Sequence, residues 1–525
     1  MKSGRVIGGE EIDARARARN ILDEARVGAD QLRELARTEA ARTRTEAAEL
    51  AQRTLDDARI EAGRVTARAQ ADAARYRDGA RAEFAGPGEP GGAARAATEP
   101  PVETGAPEPE GTVDAVVGLV VRATVPGVAL GEIVRIDRRD REPLTAEVVG
   151  FRGEQAVMLP LGEVAGVAPA GRAWRTGASL SIRCGEDMLG RVVDGIGAPI
   201  DDGPPLTGEP WAIDRPAPPA LSRPPISSPQ PTGVRVVDTM LTLGRGQRVG
   251  LFAAAGVGKS MLLGQIARGA SADVIVLCLV GERGRELAEL LREELAPARS
   301  RTVVVCATSD APPLVRVRAI HTATAIAEWF RDRRSASVLL LCDSLTRVAR
   351  AQREVGLSAG EPPARHGYPP SVFALLPRLI ERTGATPAGV ITAIYTVLVA
   401  GNDLDEPIAD EVRGLVDGHI VLDRRLAQRG HFPPIDVVAS VSRLMMRVVG
   451  RDHAAAAARV RTRLAIYEEH RDLVTLGAYQ AGRDRAVDDA VRAYPAIERL
   501  VQQPRDEVAT WDSSVKSLLT LAGPR

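Results

Sequence analysis

Lysine is almost missing from this 525-residue chain: of 69 basic residues only Lys2, Lys259 and Lys516 are not arginine. A sequence that writes arginine nearly everywhere marks Lys259 as a position where the bulky planar fork does not serve. Aromatics are also few, four Trp, six Tyr and six Phe, and 69 acidic residues cancel the 69 basic ones. A neutral chain with so few stacking side chains has neither the field nor the platforms that hold nucleic acid, so partners are recognised locally. Cysteine is limited to Cys184, Cys278, Cys306 and Cys342, without CxxC spacing. Three of them lie in apolar runs, which excludes a disulfide framework and points to small core residues in a reducing compartment. No apolar run approaches the roughly 18–20 residues that span a bilayer, and residues 1–11 lack a signal-type core, so a cytoplasmic protein is expected.

What is present divides the chain into several segments, and the length suits two to four domains. Residues 10–84 are almost wholly Ala, Arg, Glu, Asp, Leu and Thr without proline, a composition for long helices. Small apolar positions run through Leu22, Ala25, Ala29, Leu32, Ala36, Ala40, Thr43, Ala47, Leu50, Thr54 and Ala58, ten steps over 36 residues and so a period of 3.6. Such a seam makes either a solvated charged helix or a partner-binding stalk, because alanine buries little area. Residues 85–112 hold six prolines and six glycines in 28 positions and read as a flexible tether. Short β-branched runs at 115–124, 132–136 and 146–151, between Gly, Pro and Asp turns, predict a small β-barrel over 113–185. From 186 to 443 apolar strands at 248–252, 274–280, 302–307, 338–342 and 390–395 alternate with helical stretches, the pattern of an α/β domain with a largely parallel sheet. After Arg443 the strands stop, and 452–474 and 485–503 predict a C-terminal helical domain over 444–525.

The strand at 248–252 runs into Ala253, Ala254, Ala255, Gly256, Val257, Gly258, Lys259 and Ser260, then a helical run from Met261. Strand, glycine loop and helix in that order make a P-loop: backbone N–H groups and the helix N-terminus hold phosphate, and Lys259 adds a mobile charge. Ser260 supplies a hydroxyl for Mg²⁺. The first glycine of the motif is Ala253, and the competing reading is a glycine-rich turn with an incidental Lys. The next strand ends in Gly281-Glu-Arg-Gly-Arg-Glu286, at the carboxyl end where parallel sheets bind ligands. Glu282 is the candidate for activating a water, with Arg283 on the phosphate or on the loop; a surface ion-pair cluster is the alternative. Asp343 closes the strand before it as a ligand for Mg²⁺ or as a helix cap. Arg443, in Ser440-Val-Ser-Arg443, is a candidate positive charge for the phosphoryl oxygens, one among 66 arginines. The Gly- and Pro-rich stretch 356–370, with Glu361, Arg365 and His366, reads as a functional loop or a long connector.

From about residue 113 to the end, some four fifths of the chain, the sequence resembles the type III secretion ATPases of flagella and injectisomes, relatives of rotary ATP synthase subunits. The matching strings include Gly190-Arg-Val-Val-Asp-Gly195, Pro231-Thr-Gly-Val-Arg235, Gly244-Arg-Gly-Gln247, Gly281-Glu-Arg-Gly-Arg-Glu286, Ala307-Thr-Ser-Asp310, Ala351-Gln-Arg-Glu354, Gly360-Glu-Pro-Pro363, Tyr395-Thr-Val-Leu-Val399 and Asp417-Gly-His-Ile-Val-Leu422. Tyr368-Pro-Pro-Ser-Val-Phe-Ala374 favours export ATPases over a rotary subunit coupled to ion transport, which is the alternative. The resemblance implies a RecA-like P-loop core and a homohexameric ring with ATP and Mg²⁺ at subunit interfaces. It implies Glu282 as catalytic carboxylate, Arg443 as a finger reaching a neighbour's site, residues 356–367 near the pore, and tolerance of Ala253. It implies ATP-driven release of export chaperones and delivery of unfolded protein substrates to a membrane export gate, with the ring peripheral to the inner-membrane apparatus through its partners. The acid-rich string usual after the Tyr395 strand is Ala400-Gly-Asn-Asp403 here. Residues 1–84 are similar to the amino-terminal part of the export stator protein, most closely over 6–22, which implies a fused stalk.

Overall fold

The computed structural model describes residues 111–399 and 404–523. The expected stalk, the tether as far as residue 110, and Ala400-Gly-Asn-Asp403 lie outside the described residues.

Six antiparallel strands open the described chain: β1 (Gly111–Val117), β2 (Val120–Thr124), β3 (Glu132–Arg138), β4 (Arg141–Arg152), β5 (Gln155–Pro160) and β6 (Arg172–Ser179). They close into a barrel in the order β1-β2-β5-β4-β3-β6. Alternation builds it: Val134 and Ile136 are wholly buried while Arg135 between them faces solvent. The run read as a single strand at 115–124 is a hairpin, turned by Gly118 at φ 59°. The barrel starts two residues inside the expected tether, because Gly111 and Thr112 pair with Ala173 and Arg172 to close β1 on β6. Gly111 has to be glycine there, since a Cβ would lie 2.2 Å from the Thr124 carbonyl oxygen.

Strands β7 (Ser181–Cys184) and β9 (Glu209–Ala212) pair with each other, while β8 (Val192–Asp194) joins the next domain's sheet. That sheet contains β10 (Arg248–Ala253), β11 (Val274–Glu282), β12 (Thr302–Thr308), β13 (Ser337–Asp343), β14 (Gly384–Ala385), β15 (Val390–Leu398), β16 (Gly418–Leu422) and β17 (Ile435–Ser442). Its order is β17-β16-β10-β15-β13-β11-β12-β8, parallel from β16 to β8, with β17 antiparallel at one edge and β14 pairing β15. β11 and β13 are buried at every residue. Their unbroken Val, Leu and Ile runs are what a sheet covered on both faces requires, each side chain contributing roughly 1.5–3 kcal/mol on burial. The helix Pro313–Arg334 covers one face and is tied to the barrel by Arg318, which is ion-paired with the buried Glu147 of β4. Burial pushes the Glu147 carboxyl up, and the Arg318 charge opposes it.

Helices Arg451–Thr475, Arg485–Val501 and Trp511–Ala522 complete the chain. The third was not legible as a separate element. Barrel, nucleotide-type α/β domain and C-terminal helices thus follow one another as the sequence leads one to expect.

Candidate nucleotide site

β10 lies between β15 and β16, and both pairings run parallel to its last residue, Ala253. The chain leaves the sheet there at a carboxyl end flanked by two others. Ala253, Ala254 and Val257 are buried, while Ala255, Gly256, Ser260 and Met261 are exposed. Gly256 at φ 77° and Gly258 at φ 93° occupy the left-handed region, so the loop curls back on itself without steric cost. Gly258 opens the helix Lys259–Gly269 and offers no capping side chain, leaving the first-turn N–H groups directed at the loop.

Because β11 and β13 are neighbours, with Leu279 opposite Asp343, their ends place Glu282 and Asp343 beside the loop. The Lys259 ammonium is ion-paired with Asp343 Oδ1 and lies 3.8 Å from Glu282 Oε1. Asp343 Oδ1 also accepts a hydrogen bond of 2.8 Å from Thr396 Oγ1 on β15. Glu282 is held from the other side by Arg347 Nη2 at 3.1 Å. Burial, a hydrogen bond with Glu286 and the Asp343 charge push the Glu282 carboxyl up to about 7, against the opposing pull of Lys259 and Arg347. A carboxyl poised there takes up and releases a proton near neutrality.

Ser260, Glu282 and Asp343 line one cavity of about 310 Å³. A hydroxyl and a carboxylate are hard oxygen donors that suit Mg²⁺, an ion that keeps waters and substrate phosphates for its remaining positions. Among the described residues no cluster of three His, Cys, Asp or Glu side chains could hold a metal alone.

Two candidates stand apart from this cavity. Arg283 is exposed, with Glu286 as its ion partner at 4.0 Å. Arg443, following β17, is exposed as well; its amide donates to the Asp417 carbonyl at 3.1 Å and its guanidinium to the Arg413 carbonyl at 3.5 Å. In the 356–370 stretch the Glu361 carboxylate accepts from the Ser371 amide at 3.1 Å, Arg365 lies 3.3 Å from Asp410, and His366 adopts φ 51°.

Sequence reasoning missed four participants. Arg347 lies in the first turn of the helix Leu345–Ala359 after β13, and only packing brings it to Glu282, so the local pattern gave no signal. Thr396 sits inside an apolar strand and gave no signal. Phe432 and Arg505 line a narrow slot beside the loop with Gly258, Met261, Pro433 and Gln503. Phe432 is 39% exposed, an unusual setting for one of so few aromatics.

The family model for the nucleotide-binding domain of the ATP synthase alpha/beta family matches residues 233–442. The model for the C-terminal domain of the T3SS EscN ATPase matches residues 449–520. The flagellum-specific ATP synthase of Bacillus subtilis is 46% identical over 417 residues, covering 79% of this chain and 95% of that protein. The type 3 secretion system ATPase of Xanthomonas euvesicatoria is 47% identical over 414 residues, 78% of this chain and 93% of that one. The chain belongs to the type III export ATPases. The assembled ATPase EscN from the type III secretion system of enteropathogenic E. coli superposes with a TM-score of 0.75 at 42% identity, over 79% of this chain and all of that one. EscN has also been solved in complex with its central stalk EscO, and that chain superposes with a TM-score of 0.73. As an export ATPase the protein hydrolyses ATP to drive type III protein export. Among its described residues no helix is long and apolar enough to cross a membrane.

Proposed function

We propose that ATP binds with its phosphates in the Gly256–Lys259 curve and that Glu282 activates the attacking water. The observation that carries this reading is the Lys259 ammonium held between Asp343 and Glu282 at the ends of adjacent strands. Triphosphate oxygens compete for that ammonium, and its transfer to phosphate frees both carboxylates for work. Ser260 and Asp343 would hold Mg²⁺, which when bound would neutralise charge on the phosphate oxygens. Thr396 keeps the Asp343 carboxylate aimed, and Arg347 keeps Glu282 from turning away. The base enters the slot beside Phe432.

Arg443 completes the site of a neighbouring copy in a homohexameric ring. Its exposure and its absence from its own chain's cavity support that placement. The ring releases chaperones from export substrates and passes the unfolded chains to a membrane export gate, and it meets the membrane through partners. Residues 1–84 serve as a stator-like stalk on which the ring docks.

Replacing Glu282 with Gln keeps the shape and removes the proton acceptor. The variant is expected to bind ATP as the natural chain does while turnover falls by at least about a hundredfold. Turnover within a few-fold of the natural chain would remove Glu282 from the mechanism.

A further inference from the structure

The segment after Glu282 runs as a helix over Gly284–Glu289 and then widens into a π-helical turn over Leu290–Glu294. Such turns are rare and recur at functional sites. Its first turn carries Glu286, which lines the same cavity as Glu282. Its last turn is gripped by one residue of the C-terminal domain: Arg505 Nη2 lies 2.9 Å from Glu293 Oε2 and 2.6 Å from Glu294 Oε1. Glu294 is buried and shared with Arg268 of the P-loop helix at 2.5 Å. The backbone around Arg505 is fixed in turn, its own carbonyl accepting from Arg268 Nη2 at 2.7 Å and the Pro504 carbonyl from Gln265 Nε2 at 3.1 Å.

Arg505 belongs to two spaces at once. It lines the slot that holds Phe432 and Gln503, and it lines the cavity that holds Ser260, Glu282 and Asp343. Met261 is shared in the same way, so these two side chains form the wall between slot and cavity. A guanidinium can do both tasks together, because its edge donates to carboxylates while its face stacks on a π-system.

We propose that Arg505 is a positioning residue that couples a nucleobase in the Phe432 slot to the Gly284–Glu294 segment and so to the placement of Glu282. The proposal rests on the reading of the loop as a nucleotide site given above. A base stacked on the Arg505 face fixes the guanidinium, the guanidinium fixes Glu293 and Glu294, and the segment between them and Glu286 transmits that order to the water-activating carboxylate. Hydrolysis therefore depends on the base as well as on the phosphates, and a triphosphate lacking a base is turned over poorly however well it binds.

The test compares steady-state hydrolysis of ATP and of inorganic tripolyphosphate by the full chain and its Arg505→Ala, Arg505→Lys and Glu293→Gln variants. In the natural chain kcat for ATP is expected to exceed that for tripolyphosphate by about tenfold or more. Arg505→Ala lowers kcat for ATP until most of that ratio is gone and changes tripolyphosphate turnover less than about twofold. Arg505→Lys keeps a charge on Glu293 and Glu294 but loses the planar face on which the base stacks, so kcat for ATP stays low and the ratio to tripolyphosphate stays small. Glu293→Gln, a change at an exposed side chain, lowers kcat for ATP in the same direction and keeps the experiment decisive if Arg505→Ala fails to fold. If tripolyphosphate turnover is too slow to detect, the loss of ATP kcat in both Arg505→Ala and Arg505→Lys remains the readout, and recovery in the Lys variant would show that charge alone, not the base, orders the segment. A ratio near one in the natural chain, an equal loss on both substrates, or a change in KM alone would overturn the coupling. Retention of hydrolysis in Lys259→Ala would instead overturn the nucleotide reading itself.

Discussion

Glu282 sits under two opposing influences, of which the raising one prevails. Burial and the neighbouring acids raise its proton affinity to about 7, and Lys259 and Arg347 lower it. A general base works only when ionised, so the sign is fixed: hydrolysis rises with pH as the carboxyl loses its proton. The profile of kcat/KM is expected to show an acid limb with an apparent pKa near 7. Arg347→Ala removes a cation 3.1 Å away, so the carboxyl holds its proton more tightly and the limb moves to higher pH. A limb that stayed in place or moved down would mean that Glu282 is not the titrating group.

At the scale of elements, the approach of the P-loop helix to the π-helical turn sets tolerances that sequence does not announce. Gly264 lies inside the helix Lys259–Gly269, where alanine ordinarily adds stability. Here a Cβ would come within 2.6 Å of Glu294 Cβ, which is itself pinned by Arg268 and Arg505. Gly264→Ala is therefore expected to lower stability by about 1–3 kcal/mol, read from thermal or urea denaturation. An increase would show that Glu294 can yield. The strands β10, β11, β12, β13 and β15 were legible because buried parallel strands write unbroken apolar runs. The hairpin inside 115–124 was not, since Gly118 and Leu119 barely interrupt the β-branched pattern. Edge strand β8 is only three residues long and left no pattern. The loop from Ala253 to Ser260, Glu282 and Asp343 were readable because local order and strand ends dictate their places. Arg347, Thr396, Phe432 and Arg505 were not, because only tertiary packing brings them to the loop.

At the scale of the whole molecule, the barrel begins at Gly111, whose pairing with Ala173 closes it. Shortening the chain by residues 1–110 leaves that closure intact, and the truncated protein is expected to keep the ATP turnover of the full chain while losing its docking to the export apparatus. A binding assay against export-apparatus membranes checks this, and undiminished docking would refute the stalk.

The ring itself is tested by mixing two inactive chains, Lys259→Ala and Arg443→Ala. A site shared between subunits takes its loop from one chain and its arginine from the next, so a mixed ring contains some sites with both intact. ATP turnover of the mixture is expected to rise well above that of either variant alone, toward about a quarter of the natural rate at equal proportions if assembly is random. A mixture that co-assembles yet hydrolyses no faster than its parts would contradict a site built from Lys259 and a neighbour's Arg443.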